Sequence, residues 1–364
     1  MLSVLVLVVA AAAGAAGAAA AAAGAAAAKG LAAGADYKYE WVTQDLPPRK
    51  QWGTNYGYCG ETSVVAALLK FGSYMSQWDV RDVSVLFEPR NNQQHWYSVG
   101  TNDQIASTKM RLTFDEYPSY DPTSTTQSYY AWLKKMTKSG NAVTMTVFMN
   151  HFLFSSGVND DPNAGFHYYD HIVSVAKISS NYDDDEYHGS DVVTFSDHGL
   201  WSPGGNPPYY FAYTMDEFCG NRTMANAPDG PIYSMPCDLM QPKMMNFGIA
   251  HTGARDDKSE LIPVTVTTNV NYERPEPLPR SSERPAPMPL VLTIRVDGRK
   301  LLSGGAKYTL LRYADESKVP FSNFLHAGGE VQTWNFEGQA GKDFVVTLDV
   351  MSNEKAMFRC VRAN

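Results

Sequence analysis

The order of predicted elements places the chain in the α+β class, with a mixed first domain followed by an all-β sandwich. Three observations carry this. Helical spacing occurs early, over Gly60 to Gly72 and Thr126 to Lys138; strand-like runs follow at 142–149, 171–178 and 191–196; and beyond about Lys258 only strand signals occur.

Each element has its own reason. Between Gly60 and Gly72 the apolar positions Val64, Val65, Leu68, Leu69 and Phe71 recur at helical spacing, and Gly72 is a natural stop. Tyr129, Tyr130, Leu133 and Met136 repeat at three and four residues, which predicts the second helix. In the last part of the chain Val264–Val270, Leu290–Val296, Tyr308–Tyr313 and Phe344–Val350 are β-branched or alternating runs separated by Gly, Asp and Pro turn signals. That pattern fits a sandwich over 258–364. The Pro-rich stretch 273–289 lies between two of these runs, so it reads as a long loop of the sandwich rather than a linker between domains.

The N-terminus is separate. No charge occurs in the first 28 residues, and Ala10 to Ala28 is Ala and Gly throughout. A bilayer span takes about 20 apolar residues, but Ala contributes little to burial in lipid. Leu2 to Val9 has the size of a signal-peptide apolar region, and Ala-x-Ala triplets follow it. Residues 1–30 therefore read as a secretory signal with an Ala-rich tail, in a protein that is secreted or lumenal. The missing basic residue ahead of the apolar run keeps a membrane-bound signal anchor open as the alternative.

Composition excludes several classes. The 364 residues are 44% hydrophobic, 12% aromatic and 19% charged, which suits one or two buried cores rather than a disordered or fibrous chain. A net charge of −8 provides no basic field for nucleic acid or an anionic membrane. No glycine-rich phosphate loop occurs, and no cofactor is expected.

Chemistry concentrates at Gln51-Trp52-Gly53-Thr54-Asn55-Tyr56-Gly57-Tyr58-Cys59-Gly60. Cys59 sits where the first helix begins, among unpaired N–H groups and the positive end of the helix dipole, a setting that favours thiolate over thiol. His171 opens one strand and Asp197 closes the next. A hairpin centred on Asp184 and Asp185 would set residue 171 opposite 197 and 198, bringing a histidine beside an aspartate. A nucleophile, a base and a group that orients the base make up such a site. His198 is the alternative to Asp197.

In this order, a Gln, a Cys-Gly at a helix start, a strand-borne His and a strand-borne Asp, the chain resembles the papain-like cysteine peptidases. Among them it is most similar to the bacteriocin-leader-processing, family-thirty-nine-like group. The resemblance covers roughly Gln51 to Gly253 and implies a papain-like domain over 36–254. It implies Cys59 as nucleophile, His171 as general base and acid, Asp197 as the orienting carboxylate and the Cys59 N–H as one oxyanion donor. The family's second donor is a Gln closer to the Cys. Here Gln51 precedes Cys59 by eight residues and Gly53 stands in the family's place. Gln51 with a bulged loop is the first choice for that role, and Asn55 the alternative. The implied activity is peptide hydrolysis through a thioester, on a peptide or protein substrate. An acyltransferase using the same site, or an inactive scaffold that binds peptide or glycan, are the alternatives.

The remaining candidates are structural. His167 and His171 would lie about 13 Å apart on a strand, too far to share a metal ion, so no metal site is expected. The acidic run Asp183 to Glu186 reads as a solvated turn, and Glu61 as a complement to the helix dipole. In a secreted protein Cys219 and Cys237 read as a disulfide around a loop holding the Asn221-Arg222-Thr223 glycan acceptor triplet. A Cys59–Cys360 bridge is the competing pairing, and it would abolish the catalytic reading.

Overall fold

The structure, a computed structural model, describes residues 36–43, 49–52, 57–85, 97–150, 161, 164–165, 168–197, 210–220, 226, 232–236, 246–270 and 284–363. The leader, Asn55, His167, His198, Asn221 and Cys237 lie outside them.

In chain order the elements of the first half are β1 (Tyr39–Val42), α1 (Cys59–Lys70), β2 (Ser73–Tyr74), α2 (Gln77–Ser84), α3 (Asp103–Lys109), β3 (Leu112–Glu116) and α4 (Thr126–Lys138). They are followed by β4 (Ala142–Met149), β5 (His171–Ser180), β6 (Val192–Ser196), β7 (Tyr210–Thr214), β8 (Tyr233–Ser234) and β9 (Gly248–Ala254). The second half is β10 (Leu261–Ile262), β11 (Val264–Thr268), β12 (Pro289–Val296), β13 (Lys307–Tyr313), β14 (Gln332–Glu337), β15 (Phe344–Met351) and β16 (Ala356–Ala363). The fold is therefore mixed helix and sheet, with sheet predominant.

An eight-stranded sheet runs β3-β9-β4-β5-β6-β7, with β1 added on β5 and β8 on β4. β5 is its centre. One edge of β5 pairs first with β4 over 171–174 and then with β1 over 177–180, while the other edge pairs with β6. Its two faces pack into different cores. Ile172 joins the cluster formed by Val64, Val65, Leu68 and Leu69 of α1, whereas Val173 and Val175 join the cluster of Tyr129, Tyr130 and Leu133 of α4. Strand alternation thus sets α1 and α4 on opposite faces of one sheet.

α1 begins at Cys59 and ends at Lys70. Two glycines explain its limits. Gly72 turns left-handed at φ +73° with no room against Val264, so the helix stops there. At Gly60 a Cβ would stand 2.2 Å from the Tyr97 carbonyl oxygen, so the residue after the cysteine must be glycine. α4 matches its predicted span and is closed by a capping box between Thr125 and Ser128.

The C-terminal strands form a five-stranded sheet, β10-β16-β13-β14 with β2 on β16, and a three-stranded sheet, β11-β12-β15. β11 and β12 flank the Pro-rich stretch and pair with each other. Leu292, Ile294, Leu310 and Phe358 share one buried cluster with the α1 residues. The two-residue β2, from between α1 and α2, completes the five-stranded sheet through Ser73 and Tyr74. Cys59 and Cys360 are both free and buried, so no bridge joins them. Burial pushes the Cys360 thiol up to about 12.

The carboxylates Asp183, Asp184 and Asp185 of the acidic turn face solvent, and the turn has a further role. It is fastened to α4: Lys134, fully buried, bridges Asp184 and Asp191, and Lys138 pairs with Asp183 and Asp185. His188 stacks on Tyr182 and bonds to Asp184, a local structural task that accounts for it.

Candidate active site

α1 and β5 bring Cys59 and His171 together. Cys59 is the first helical residue, so its N–H has no acceptor within the helix. His171 is 2% exposed, and its Nε2 lies 2.8 Å from Asp197 Oδ1. The Cys59 thiol lies within electrostatic reach of its ring.

The expected register needed correction. β5 and β6 pair as Ser174 with Ser196 and Val175 with Phe195, and a bulge at Ala176 shifts the rest of the ladder. Continued by one residue, this register sets Asp197 opposite Val173 rather than opposite His171. Asp197 is then the diagonal neighbour of His171, which lies on the same face of the sheet and within reach. The histidine and aspartate meet, though not as a directly opposed pair.

Burial pulls the His171 pKa down, but the Asp197 charge and hydrogen bond, with Cys59 beyond, more than reverse this and raise it to about 10. The imidazolium is thus the stable form at neutral pH.

Three residues that sequence reasoning passed over complete the site. The Tyr233 hydroxyl, fully buried, donates to Asp197 Oδ2, so both carboxylate oxygens are engaged. Tyr233 comes from β8, which pairs with Phe148 and Met149 at the end of β4. A two-residue strand has no periodicity to detect.

Gln77, the first residue of α2, links the loop to the nucleophile's helix. Its Oε1 accepts from the Trp52 N–H at 2.8 Å and from the Thr62 hydroxyl at 2.8 Å, and its Nε2 donates to the Lys50 carbonyl at 2.9 Å. Gln51 lies between these two anchors and is 3% exposed. The Trp52 and Tyr58 rings pack 5.6 Å apart, which holds Trp52 beside the residue that precedes Cys59. The extra chain between them lies outside the described residues.

Arg81 supplies the third brace. Its Nε forms a buried ion pair with Glu61 at 2.7 Å, its Nη2 donates to the Gly57 carbonyl at 2.8 Å, and its guanidinium stacks 3.5 Å from the Tyr58 ring. Glu61 also accepts from the Tyr97 N–H. Glu61 is therefore more than a dipole partner: it ties α1, α2 and Tyr97 together immediately behind Cys59.

No family's sequence pattern matches the chain, and no curated protein matches it. Among solved structures, it is similar to a clostridial cysteine protease, Cwp84, after propeptide cleavage. That likeness has 11% identity over 88% of this chain and 82% of the other, with a TM-score of 0.28. A second is to the cysteine protease and lectin-like domains of Cwp84, a surface-layer-associated protein of Clostridium difficile. It has 11% identity over 89% of this chain and 75% of the other, with a TM-score of 0.27. TM-scores this low do not establish a shared fold.

Proposed function

We propose that the chain is a papain-like cysteine peptidase, with Cys59 as nucleophile, His171 as base and acid, and Asp197 as the orienting carboxylate. The carrying observation is the buried His171, bonded through Nε2 to Asp197 and within electrostatic reach of the thiol that begins α1. An imidazolium beside a thiol stabilises the thiolate. In the proposed reaction Cys59 Sγ attacks the substrate carbonyl carbon, and the developing oxyanion is held by the Cys59 N–H and the Gln51 amide. His171 Nδ1–H then protonates the departing amine as the C–N bond breaks, leaving a thioester. Water, deprotonated at Nδ1, cleaves the thioester and frees the acid.

Gln51 is preferred over Asn55 as the second donor because Gln77 fixes the backbone on both sides of it. The leader read over 1–30 supports export, and the Cys219–Cys237 disulfide and a glycan at Asn221 belong to the same proposal. No described helix is long and apolar enough to cross a membrane. The proposed C-terminal sandwich carries no assigned chemistry.

The test is peptide hydrolysis together with the pH dependence of Cys59 alkylation, in wild type and His171→Ala. Turnover that requires both residues, with alkylation that slows in the variant, is expected. A Cys59 that alkylates like a free thiol and ignores His171→Ala would overturn the reading. Fast, His171-dependent alkylation without turnover of any peptide would point instead to a peptide-binding scaffold.

A further inference from the structure

A cavity of about 350 Å³ lies between α3 and the segment that follows β3. Its lining includes Asp103, Gln104, Ile105, Glu116, Tyr120 and Asp121, and no Lys or Arg is among the described residues that line it. Asp103 is 1% exposed, and its Oδ2 is buried without a hydrogen-bond partner among the described residues. A carboxylate oxygen removed from water and left unpaired is costly. A ligand donor would relieve that cost. Gln104 donates to Glu116 at the rim, and Tyr120 is 69% exposed.

A line of packed aromatic rings runs from the cavity toward the start of β5. Tyr120 packs on Phe247 at 5.6 Å, and Phe247 on Tyr169 at 5.7 Å. Tyr169 is two residues before His171 and is held by its bond to the Val99 carbonyl. Its hydroxyl is raised chiefly by burial, then by the charges of Cys59 and Asp103 and by Tyr120, so it lies within electrostatic reach of all three.

Building on the proposed peptidase site, we propose that this cavity is a substrate subsite that takes a cationic side chain, Lys or Arg, of the bound peptide. Its carboxylates are spread along the lining, and no cluster of three metal-ligating side chains occurs among the described residues. A long flexible cation suits this arrangement better than a compact ion. Ile105 and Tyr120 provide apolar and aromatic surface for its methylene stem and for cation–π contact. Asp103 Oδ2 accepts its charged hydrogen bond.

The test compares two tetrapeptide sets, one scanning Lys and Arg and one scanning norleucine through each position. Binding is measured to the Cys59→Ala protein, which cannot turn them over. At one position the basic peptide should bind about tenfold or more tightly than its norleucine counterpart, and adding Asp103→Asn should erase the preference. If Asp103→Asn does not fold, Glu116→Gln at the rim should narrow it instead. Equal binding of basic and neutral peptides at every position, or a preference unchanged in both acidic-residue variants, overturns the subsite. Selective binding in a protein whose wild type hydrolyses no peptide would uphold the subsite while refuting the peptidase.

Discussion

Replacing Asp197 with Asn preserves the size of the side chain and removes the charge 2.8 Å from His171 Nε2. His171 remains buried, and burial lowers its pKa. With the carboxylate present, His171 stands at about 10 against an ordinary 6.5. At 1.36 kcal/mol per pH unit, that difference corresponds to an electrostatic contribution of order 5 kcal/mol. Without the charge, burial dominates and the histidine titrates below its ordinary value, so the imidazolium partner of Cys59 is lost at neutral pH. The rate of Cys59 alkylation by iodoacetamide, followed from about pH 5 to about pH 10, should fall sharply near pH 7. Peptide turnover should fall on the order of 10²- to 10⁴-fold, the range set by loss of an orienting carboxylate elsewhere. Stability carries a second readout. A raised folded-state pKa means that the His171 contribution is complete below about pH 6.5 and is lost as pH rises through about 10. Denaturant unfolding should show this loss in wild type and much less of it in Asp197→Asn. Identical alkylation profiles and identical stability slopes in the two proteins would refute the electrostatic role given to Asp197.

Tyr233→Phe leaves Asp197 Oδ2 buried without its donor, so it should cost about 1–3 kcal/mol of stability by denaturant unfolding and shift the alkylation profile of Cys59. Gln77→Leu unties Trp52, Lys50 and Thr62 together. It should reduce kcat more than it raises KM, by roughly tenfold or more if Gln51 supplies the oxyanion donor, while Cys59 alkylation changes little. Gly60→Ala forces a methyl to 2.2 Å from the Tyr97 carbonyl; it should destabilise by about 1–3 kcal/mol, seen as a lowered midpoint in thermal melts. His251, fully buried with its Nε2 2.9 Å from the Ser107 hydroxyl, is lowered to about 4 by burial. Its neutral form supports the fold above about pH 6.5, and this support is lost as pH falls through about 4. Wild type should lose about 3 kcal/mol over that window relative to His251→Gln.

The elements legible from sequence were those with long, uninterrupted periodicity. α4 and β4 occupy their predicted spans because thirteen and eight consecutive residues repeat one pattern. α2 was missed: its eight residues mix Val with Asp and Arg, and Arg81 and Asp79 serve specific tertiary partners or the cap rather than a helical surface. β2 and β8 were missed because two residues carry no period, although each is fixed by a longer partner strand. The hairpin register was displaced because its turn is centred between Asp185 and Glu186, one residue beyond the centre that the acidic run suggests, and the bulge at Ala176 restores only part of that shift.

The sequence by itself determined the class of fold, the position of Cys59 at a helix start, and the pair of strands that bear His171 and Asp197. These follow from local spacing, which each segment carries within itself. Only the tertiary structure decided that Asp197 reaches His171 diagonally, that Tyr233 takes the carboxylate's other oxygen, and that Gln77 and the Glu61–Arg81 pair brace the loop around Gln51 and Cys59. Such contacts join residues up to 36 positions apart in the chain. They form where buried polar groups must find partners away from water, a demand set by the packing of all the elements together rather than by any one of them.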